Sequence, residues 1–211
     1  MSRYVRTELA RRKSPLEPQQ LQDVENAALG PDTDTVCESH DQQLQRSSYK
    51  RLMGLSWLND EVVNYFLSKL TERTYSYNNV KRWSTKAKLD VFEADKILFP
   101  HNIGNMHWCL AIVHVQEKRI EYMDSMSGDG LGAMSALFRY FKDEHADKKG
   151  SPLKGMWTRY SYRDTSPQQK NGCDCGVFTL PNADYVLGEL PLDFHQDDIP
   201  HFQAATRILA A

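Results

Sequence analysis

The sequence predicts an α+β domain, in which helices are combined with strands that are mostly joined by hairpins. The clearest strands are residues 107–115, HWCLAIVHV, and residues 120–123, IEYM, which are separated by a short turn-forming stretch. Such a pair is typical of a β-hairpin. Other stretches carry apolar residues at the spacing of a helix, so both kinds of element are expected in one domain.

The N-terminal part of the chain divides at Ser14. Residues 1–14 are polar and basic and show no sustained periodicity, so we predict a mobile N-terminal arm and a domain at residues 15–211. A helix is predicted directly after the arm, and Gly30-Pro31 is a typical stop. The apolar face of this helix would consist of Leu21, Val24 and Ala28.

A second helix is predicted after Trp57, and either Ser56 or Asn59 can cap its first turn. Its apolar face would consist of Leu58, Val62, Phe66 and Leu70. The following residues 75–79, rich in Tyr, Ser and Asn, predict a loop.

Further elements are predicted on both sides of the hairpin. Residues 97–99 predict a short buried strand before it, and residues 156–162, MWTRYSY, predict another strand after it. The segment AMSALFRYFKDEH at residues 133–145 predicts a helix. Its apolar face would consist of Met134, Leu137, Phe138 and Phe141. From residue 190 onward, the sequence predicts a loop and a last helix. The side chains of Phe202, Ile208 and Leu209 are expected to face the protein interior.

The composition limits the class of function. The chain has 211 residues, of which 40% are hydrophobic and 26% charged, as in ordinary globular proteins. A net charge of −2 gives no general reason to bind nucleic acid or an anionic membrane. No apolar run approaches the roughly 18 residues of a membrane helix, and the first residues lack the apolar stretch of a secretory signal. We therefore expect an intracellular protein. We also expect it to be a monomer.

The four cysteines are Cys37, Cys109, Cys173 and Cys175. Without a secretory signal they do not predict a disulfide framework. No CxxC pair occurs, so we predict neither a structural metal nor another cofactor. We interpret Cys109, inside an apolar strand, as a small core residue.

A thiol attacks a carbonyl group efficiently when it has a base, a group that orients the base and donors for the developing oxyanion. His107 begins one strand of the hairpin, and Asp124 follows the neighbouring strand. Because a tight antiparallel hairpin brings these ends together, the carboxylate can accept a hydrogen bond from one imidazole nitrogen while the other faces a thiol.

Cys175 lies where a loop containing Gly and Asn gives way to the apolar run VFTL. If a helix begins there, its free amides and its dipole would stabilise the thiolate. Gln169, six residues earlier, could donate its amide to an oxyanion together with the backbone amide of Cys175. The residues themselves favour Cys175 over Cys173 only through its neighbour Gly176.

Several segments together resemble the SUMO-specific, or sentrin-specific, proteases of the Ulp type, which are related to the adenovirus protease. They are WLNDEVVNYF (57–66), DVF (90–92), GNMHWCLAIV (104–113), YMDSM (122–126), PQQKNGCDCGVF (167–178), ADYV (183–186) and LPLDF (190–194). The resemblance covers residues 15–209. It implies a papain-like α+β domain whose central mixed sheet is flanked by helices.

The resemblance implies catalysis by His107, Asp124 and Cys175, in that chain order, with Gln169 at the oxyanion hole. It therefore selects Cys175 over Cys173. It also implies a cysteine protease that cuts after the C-terminal Gly-Gly of SUMO, both to mature precursors and to release SUMO from the lysines of conjugated proteins. SUMO would be the partner, no cofactor would be needed, and a nuclear location is expected because family members are often nuclear.

Three further residues match substrate-binding positions of the family. Trp57 and Trp108 match the tryptophans that enclose the Gly-Gly tail, since a flat apolar roof admits only residues without side chains. Asp60 matches an acidic position that pairs with a basic residue of the modifier. The alternatives are that Trp57 packs at a helix entrance, Trp108 packs on the reverse face of its strand, and Asp60 caps the helix.

Two residues depart from the family pattern. Pro181, six residues after the proposed nucleophile, predicts a distortion or an early break of the helix that begins there. Cys173 stands where the family often has Ser or Tyr, and its thiol allows the hypothesis of a reversible disulfide or sulfenate with Cys175.

Three other functions fit parts of the same pattern. The same chemistry could act on the NEDD modifier or on ubiquitin, because a glycine tunnel does not read the globular part of the modifier. An acyltransferase could pass the thioester's acyl group to an amine or a hydroxyl instead of water. A non-catalytic module could bind a modifier without cutting it.

The hypothesis for Cys173 predicts that peroxide inactivates the wild type and Cys173→Ser differently, because only the wild type has a second thiol two residues from Cys175. Residual activity after peroxide treatment measures the difference. Equal inactivation of the two proteins would exclude the hypothesis.

Overall fold

The computed structural model describes residues 3–39, 42–71 and 90–209. The chain divides into two compact units. We call residues 1–74 with 167–211 the helical unit, and residues 75–166 the sheet unit. The loop predicted at residues 75–79 lies outside the described residues.

The described elements follow one another along the chain in three groups. The first part of the helical unit contains α1 (Arg3–Arg12), α2 (Pro18–Ala27), β1 (Thr35–Ser39), β2 (Gln42–Gln45), α3 (Arg46–Tyr49) and α4 (Asp60–Thr71). The sheet unit contains β3 (Lys96–Ile103), β4 (His107–His114), β5 (Arg119–Met123), α5 (Leu131–Lys149) and β6 (Thr158–Ser161). The chain then returns to the helical unit with α6 (Cys175–Leu187) and α7 (Ile199–Leu209).

Helix α1 lies where the sequence predicts a mobile arm without regular structure. Leu9 is buried, and the guanidinium of Arg12 forms an ion pair with Asp184 of α6, with Nη2 2.9 Å from Oδ1. Leu9 is the one buried apolar residue among the described positions of α1, and the charged residues of its last turn make other contacts, so apolar periodicity could not reveal the helix. The domain boundary at residue 14 stays a prediction.

Helix α2 confirms the predicted helix but buries a narrower face. Val24 is 1% exposed, and its carbonyl accepts a hydrogen bond from the hydroxyl of Tyr49. Leu21, which we predicted on the same face, is 42% exposed. A single buried position suffices for a helix of ten residues to pack here.

The β1–β2 hairpin was not predicted, because its strands, TVCES and QQLQ, are short and mostly polar. The strands pair antiparallel with Cys37 opposite Leu44, and Leu44 is fully buried.

Helix α4 confirms its predicted start, since the side-chain oxygen of Asn59 accepts a hydrogen bond from the amide of Val62 at 3.2 Å.

The sheet unit has a four-stranded mixed sheet in the order β3-β4-β5-β6. The pairs β3–β4 and β4–β5 are antiparallel, and β5–β6 is parallel. The predicted hairpin is therefore confirmed. The strand predicted at residues 97–99 is longer than expected because it pairs with β4 over its whole length, from Lys96 opposite His114 to Ile103 opposite His107.

The core of the sheet unit lies between the sheet and α5. The sheet contributes buried residues that alternate along β4 and β5: Cys109, Ala111, Val113, Ile120 and Tyr122. Met134 and Phe141 of α5 are buried against them, while Leu137 and Phe138 are partly buried. The predicted apolar face of this helix is confirmed.

Helix α6 is continuous from Cys175 to Leu187 although Pro181 lies inside it, so the expected early break does not occur. Proline removes one backbone hydrogen bond. Most residues of α6 around Pro181 are buried, and this packing stabilises the helix across the proline. In α7, Phe202 is buried as predicted, and Ile208 is partly buried.

We predict that Phe141→Ala lowers the free energy of unfolding by about 3–5 kcal/mol, because it removes a fully buried ring and leaves a cavity. Urea titration followed by circular dichroism measures the loss. Met156→Ala is the matched control, since Met156 is 86% exposed, and its effect should stay within about 0.5 kcal/mol. Similar losses in both variants would contradict the prediction.

Candidate active site

In the sheet unit, His107 and Asp124 form a hydrogen-bonded pair. The distance from imidazole Nε2 to carboxylate Oδ1 is 2.7 Å, which confirms the contact predicted from the hairpin. The Asp124 side chain is 5% exposed and the His107 side chain is 19% exposed. The pair therefore has a buried carboxylate and an imidazole that is partly accessible.

The register of β4 and β5 explains this contact. Leu110 lies opposite Met123, so Asp124 follows β5 at the level of Cys109. Because alternate residues of a strand share a face, His107 and Cys109 point to the same side. The Cys109 thiol donates to Asp124 Oδ2 at 3.3 Å, and the amide of Met126 donates to Oδ1 at 2.7 Å. Three donors thus orient one carboxylate.

The turn after β5 approaches this carboxylate closely at Gly128. A Cβ atom at residue 128 would overlap Asp124 Oδ2. At Gly130, a Cβ would overlap the ring of Tyr122, and the backbone has a φ of +60° that favours glycine. The glycines that follow the hairpin in the sequence therefore allow Asp124 and Tyr122 to keep their positions.

The same hairpin contains a second pair of histidine and carboxylate, which is more buried. His114 Nε2 lies 3.0 Å from Glu121 Oε2, and both residues are buried. Burial by itself raises the pKa of Glu121, but the hydrogen bond with His114 and the charges of His114 and Arg119 outweigh it and lower the pKa below its ordinary value. Arg119 also pairs with Glu121, so this acid already serves a structural ion-pair network.

In the helical unit, a helix does begin at Cys175, which is the first residue of α6 and is 4% exposed. Free backbone amides and the positive end of the helix dipole lie at such a position. Gln169 lies in the preceding loop, where its side-chain amide donates to the carbonyl oxygen of Asn171. The structure thus places Cys175 and Gln169 in one unit and the His107–Asp124 pair in the other.

Cys173, the other candidate nucleophile, has a different environment. Burial raises the pKa of its thiol, and Asp174, whose Oδ1 lies 3.8 Å from Cys173 Sγ, raises this pKa further. A larger fraction of the thiol is therefore protonated at neutral pH, and it is a poorer nucleophile.

The predicted substrate-binding residues also lie in both units. Trp57 is 47% exposed, and its carbonyl accepts a hydrogen bond from Arg51. Asp60 is exposed at the first position of α4, where Asn59 provides the cap, so the alternative capping role of Asp60 is not needed. Trp108 is 8% exposed and points to the face of β4 opposite the core packed by α5.

Among the described residues, one group has the ligand types and spacing of a metal site. His107, Cys109 and Asp124 place a nitrogen, a sulfur and an oxygen within 4.8 Å of one another, a donor set that suits zinc. Two hydrogen bonds to Asp124 already connect these atoms. The absence of a metal and of other cofactors stays a prediction.

Sequence reasoning missed the contribution of Cys109 and Gly128 to the site. Cys109 is buried, as predicted for a core residue, but its thiol also contacts Asp124. Its position two residues after His107 on one strand was the available signal. Nothing in the sequence indicated that Gly128 approaches the carboxylate.

A cysteine that begins a helix, a glutamine in the loop before it and a histidine hydrogen-bonded to an aspartate are the kinds of group that cysteine peptidases use. Together with the α+β architecture, these groups place the chain in the class of cysteine peptidases. Residues 61–208 match the family described as the Ulp1 protease family, C-terminal catalytic domain, and the chain belongs to this family.

Relatives with this domain occur in animals and plants. Human sentrin-specific protease 2 is 32% identical over 197 residues, which cover 82% of this chain and 33% of that protein. Ubiquitin-like-specific protease 1A of Arabidopsis thaliana is 32% identical over 179 residues, which cover 71% of this chain and 36% of that protein. The chain thus spans about a third of the length of these relatives.

A solved structure supports the same architecture. The C-terminal Ulp1 protease domain in complex with Smt3, the yeast orthologue of SUMO, superposes with a TM-score of 0.79 at 23% identity. The match covers 92% of this chain and 95% of that one. The predicted α+β protease fold with a mixed sheet flanked by helices is confirmed. No helix within the part of the chain that the structure describes is long and apolar enough to cross a membrane.

We predict that Gly128→Ala destabilises the protein by about 1–3 kcal/mol, because the added methyl group displaces the Asp124 carboxylate. Gly132→Ala is the matched control: nothing lies within 4 Å of its added Cβ, and alanine favours helix α5. The control should stabilise by up to about 1 kcal/mol. Thermal and urea unfolding measure both effects, and equal stability of the two variants would contradict the prediction.

Proposed function

We propose that this chain is a cysteine protease domain that cuts after the C-terminal Gly-Gly of SUMO, in precursors and in conjugates with lysine. Cys175 is the nucleophile, His107 is its general base, and Asp124 orients His107. Gln169 and the backbone amide of Cys175 stabilise the oxyanion.

The observation that carries the proposal is the hydrogen bond of 2.7 Å between His107 and Asp124 at the strand ends, in a chain of the Ulp1 protease family. The carboxylate determines which imidazole nitrogen remains for proton transfer. The start of α6 at Cys175 supports the assignment of the nucleophile, since a helix N-terminus stabilises a thiolate. The raised pKa of Cys173 argues against that thiol as an alternative.

In the proposed reaction, the Cys175 thiolate attacks the carbonyl carbon of the last glycine, and the oxyanion accepts hydrogen bonds from Gln169 and the Cys175 amide. His107, which has taken the thiol proton of Cys175, then gives it to the leaving amine, and the C–N bond breaks to leave a thioester between Cys175 and the modifier. With His107 as base, a water molecule attacks the thioester and releases the modifier with a free carboxylate.

The choice of substrate rests on the relatives and on two tryptophans. Several relatives are named sentrin-specific proteases, and the matching Ulp1 domain was solved in complex with Smt3. Trp57 and Trp108 would enclose the two glycines, because flat apolar rings leave no space for side chains. Asp60, which is exposed, would pair with a basic residue of the modifier. We further propose an intracellular, nuclear location, as in many members of this family.

We predict that Cys175→Ala abolishes cleavage of a SUMO precursor but retains SUMO binding, because it removes the nucleophile and little else. Cleavage is measured by gel electrophoresis and binding by calorimetry. Cys37→Ala is the control, since Cys37 is a partly buried cysteine of the same unit, and it should cleave within about twofold of the wild-type rate, as expected for a substitution away from the reaction. Undiminished cleavage by Cys175→Ala would contradict the mechanism.

The modifier is tested with C-terminal electrophile probes of SUMO, NEDD and ubiquitin. We expect the wild type to form a covalent adduct with the SUMO probe at Cys175, and peptide mapping identifies the residue. A preference for the NEDD or ubiquitin probe would exclude SUMO as the substrate while leaving the chemistry intact.

A further inference from the structure

Gln196 connects two residues of the loop that precedes α6. It begins a short 3-10 turn, Gln196–Asp198, directly before α7. Its side-chain oxygen accepts a hydrogen bond from the amide of Lys170 at 2.7 Å, and its side-chain nitrogen donates to Asp174 Oδ2, also at 2.7 Å. One glutamine therefore uses both ends of its amide on a loop that is 22 to 26 positions away in the sequence.

The two contacted residues flank the proposed chemistry. Lys170 follows Gln169, the proposed oxyanion donor, and Asp174 precedes Cys175, the proposed nucleophile. Because Gln196 holds both Lys170 and Asp174, it limits the distance between the Gln169 side chain and the Cys175 amide. These are the two donors that would converge on the oxyanion.

The Asp174 end of this connection is strongly constrained. Asp174 is 2% exposed, and its Oδ2 accepts hydrogen bonds from Gln196 and from the side-chain nitrogen of Asn171, each at 2.7 Å. A buried carboxylate that loses a donor becomes less stable and moves toward other donors or water. Asn171 is part of the same loop, so its hydrogen bonds cannot anchor the loop to the turn before α7, whereas those of Gln196 do.

We propose that Gln196 is a positioning residue. It holds the two proposed oxyanion donors, the Gln169 side chain and the Cys175 amide, at the distance from each other that the oxyanion requires. This inference rests on the proposed function, since it takes Cys175 as the nucleophile. It assigns to Gln196 a role in the acyl-transfer steps that is separate from the reactivity of the thiolate.

Two reactions of the same thiol separate these roles. Attack on the carbonyl carbon of a SUMO–aminocoumarin substrate develops an oxyanion, both when the thioester forms and when water cleaves it. Attack on chloroacetamide displaces chloride from a saturated carbon, so no oxyanion develops. A displaced oxyanion hole therefore slows the first reaction and leaves the second unchanged.

The test is Gln196→Met, which keeps a side chain of similar length but removes both hydrogen bonds. We expect kcat for SUMO–aminocoumarin to fall about 10- to 100-fold, because the oxyanion donors are displaced rather than lost. The loss of a donor would cost more, about 100- to 1,000-fold. KM should change by less than about threefold, as expected for an interaction made mainly in the transition state. The rate of alkylation of Cys175 by chloroacetamide should equal that of the wild type.

Gln116→Met is the matched control. Gln116 also uses its side-chain amide on a loop, donating to the carbonyl oxygens of Phe92 and Ala94, but it belongs to the sheet unit. It should retain the wild-type kcat. Thermal unfolding of both variants shows whether each is folded at the assay temperature. Gln196→Leu, which also removes both hydrogen bonds and adds no charge beside Asp174, provides a second variant if Gln196→Met does not fold.

The outcomes distinguish the possibilities. A fall in kcat with unchanged alkylation supports the positioning role. Unchanged kcat, or an equal fall in kcat and in alkylation, overturns it, because the second result means that the thiol itself has changed. If alkylation of Cys175 in the wild type leaves turnover intact, the proposed function fails, and this is seen without any substitution at Gln196.

Discussion

The antiparallel register of β4 and β5 is the constraint on which the His107–Asp124 contact depends. With Leu110 opposite Met123, the residue after β5 comes level with Cys109, and both Cys109 and His107 point to it. A shift of one residue would turn these side chains to the other face of the sheet. The same register buries Ile120 and Tyr122 against α5, so the packing energy of the core also maintains the His107–Asp124 contact.

The residues before Cys175 are held by a different kind of interaction. The loop before α6 contains few apolar residues, and its shape depends on hydrogen bonds among Asn171, Asp174 and Gln196. Hydrogen bonds are directional, so they specify position more narrowly than apolar packing does. A buried carboxylate at Asp174 makes the arrangement costly to break. Such a loop can hold the proposed oxyanion donors in place, and the helix that follows it is stabilised by its buried residues.

Local patterns predicted most elements but missed those that depend on distant contacts. The β4–β5 hairpin, the start of α4 at Asn59 and the apolar face of α5 were predictable, because periodicity and capping act within a few residues. Helix α1 was not, since one buried leucine and an ion pair with Asp184 anchor it. The packing of α6 likewise overcomes the local tendency of Pro181 to end a helix. The fold class could thus be predicted more fully than the presence and the ends of individual helices.

The sequence by itself determined which chemical groups are available: a cysteine between glycine-containing segments, a histidine at a strand start and an aspartate at the end of the next strand. It also contained enough linked motifs to indicate the Ulp-type family. Only the tertiary structure decided how these groups are held, through the Cys109 thiol and the Met126 amide on Asp124, the space left by Gly128, and the two contacts of Gln196. These depend on atomic positions set by folding, because a single hydrogen bond or close approach, whether near in the chain or distant, leaves no periodic pattern from which it could be predicted.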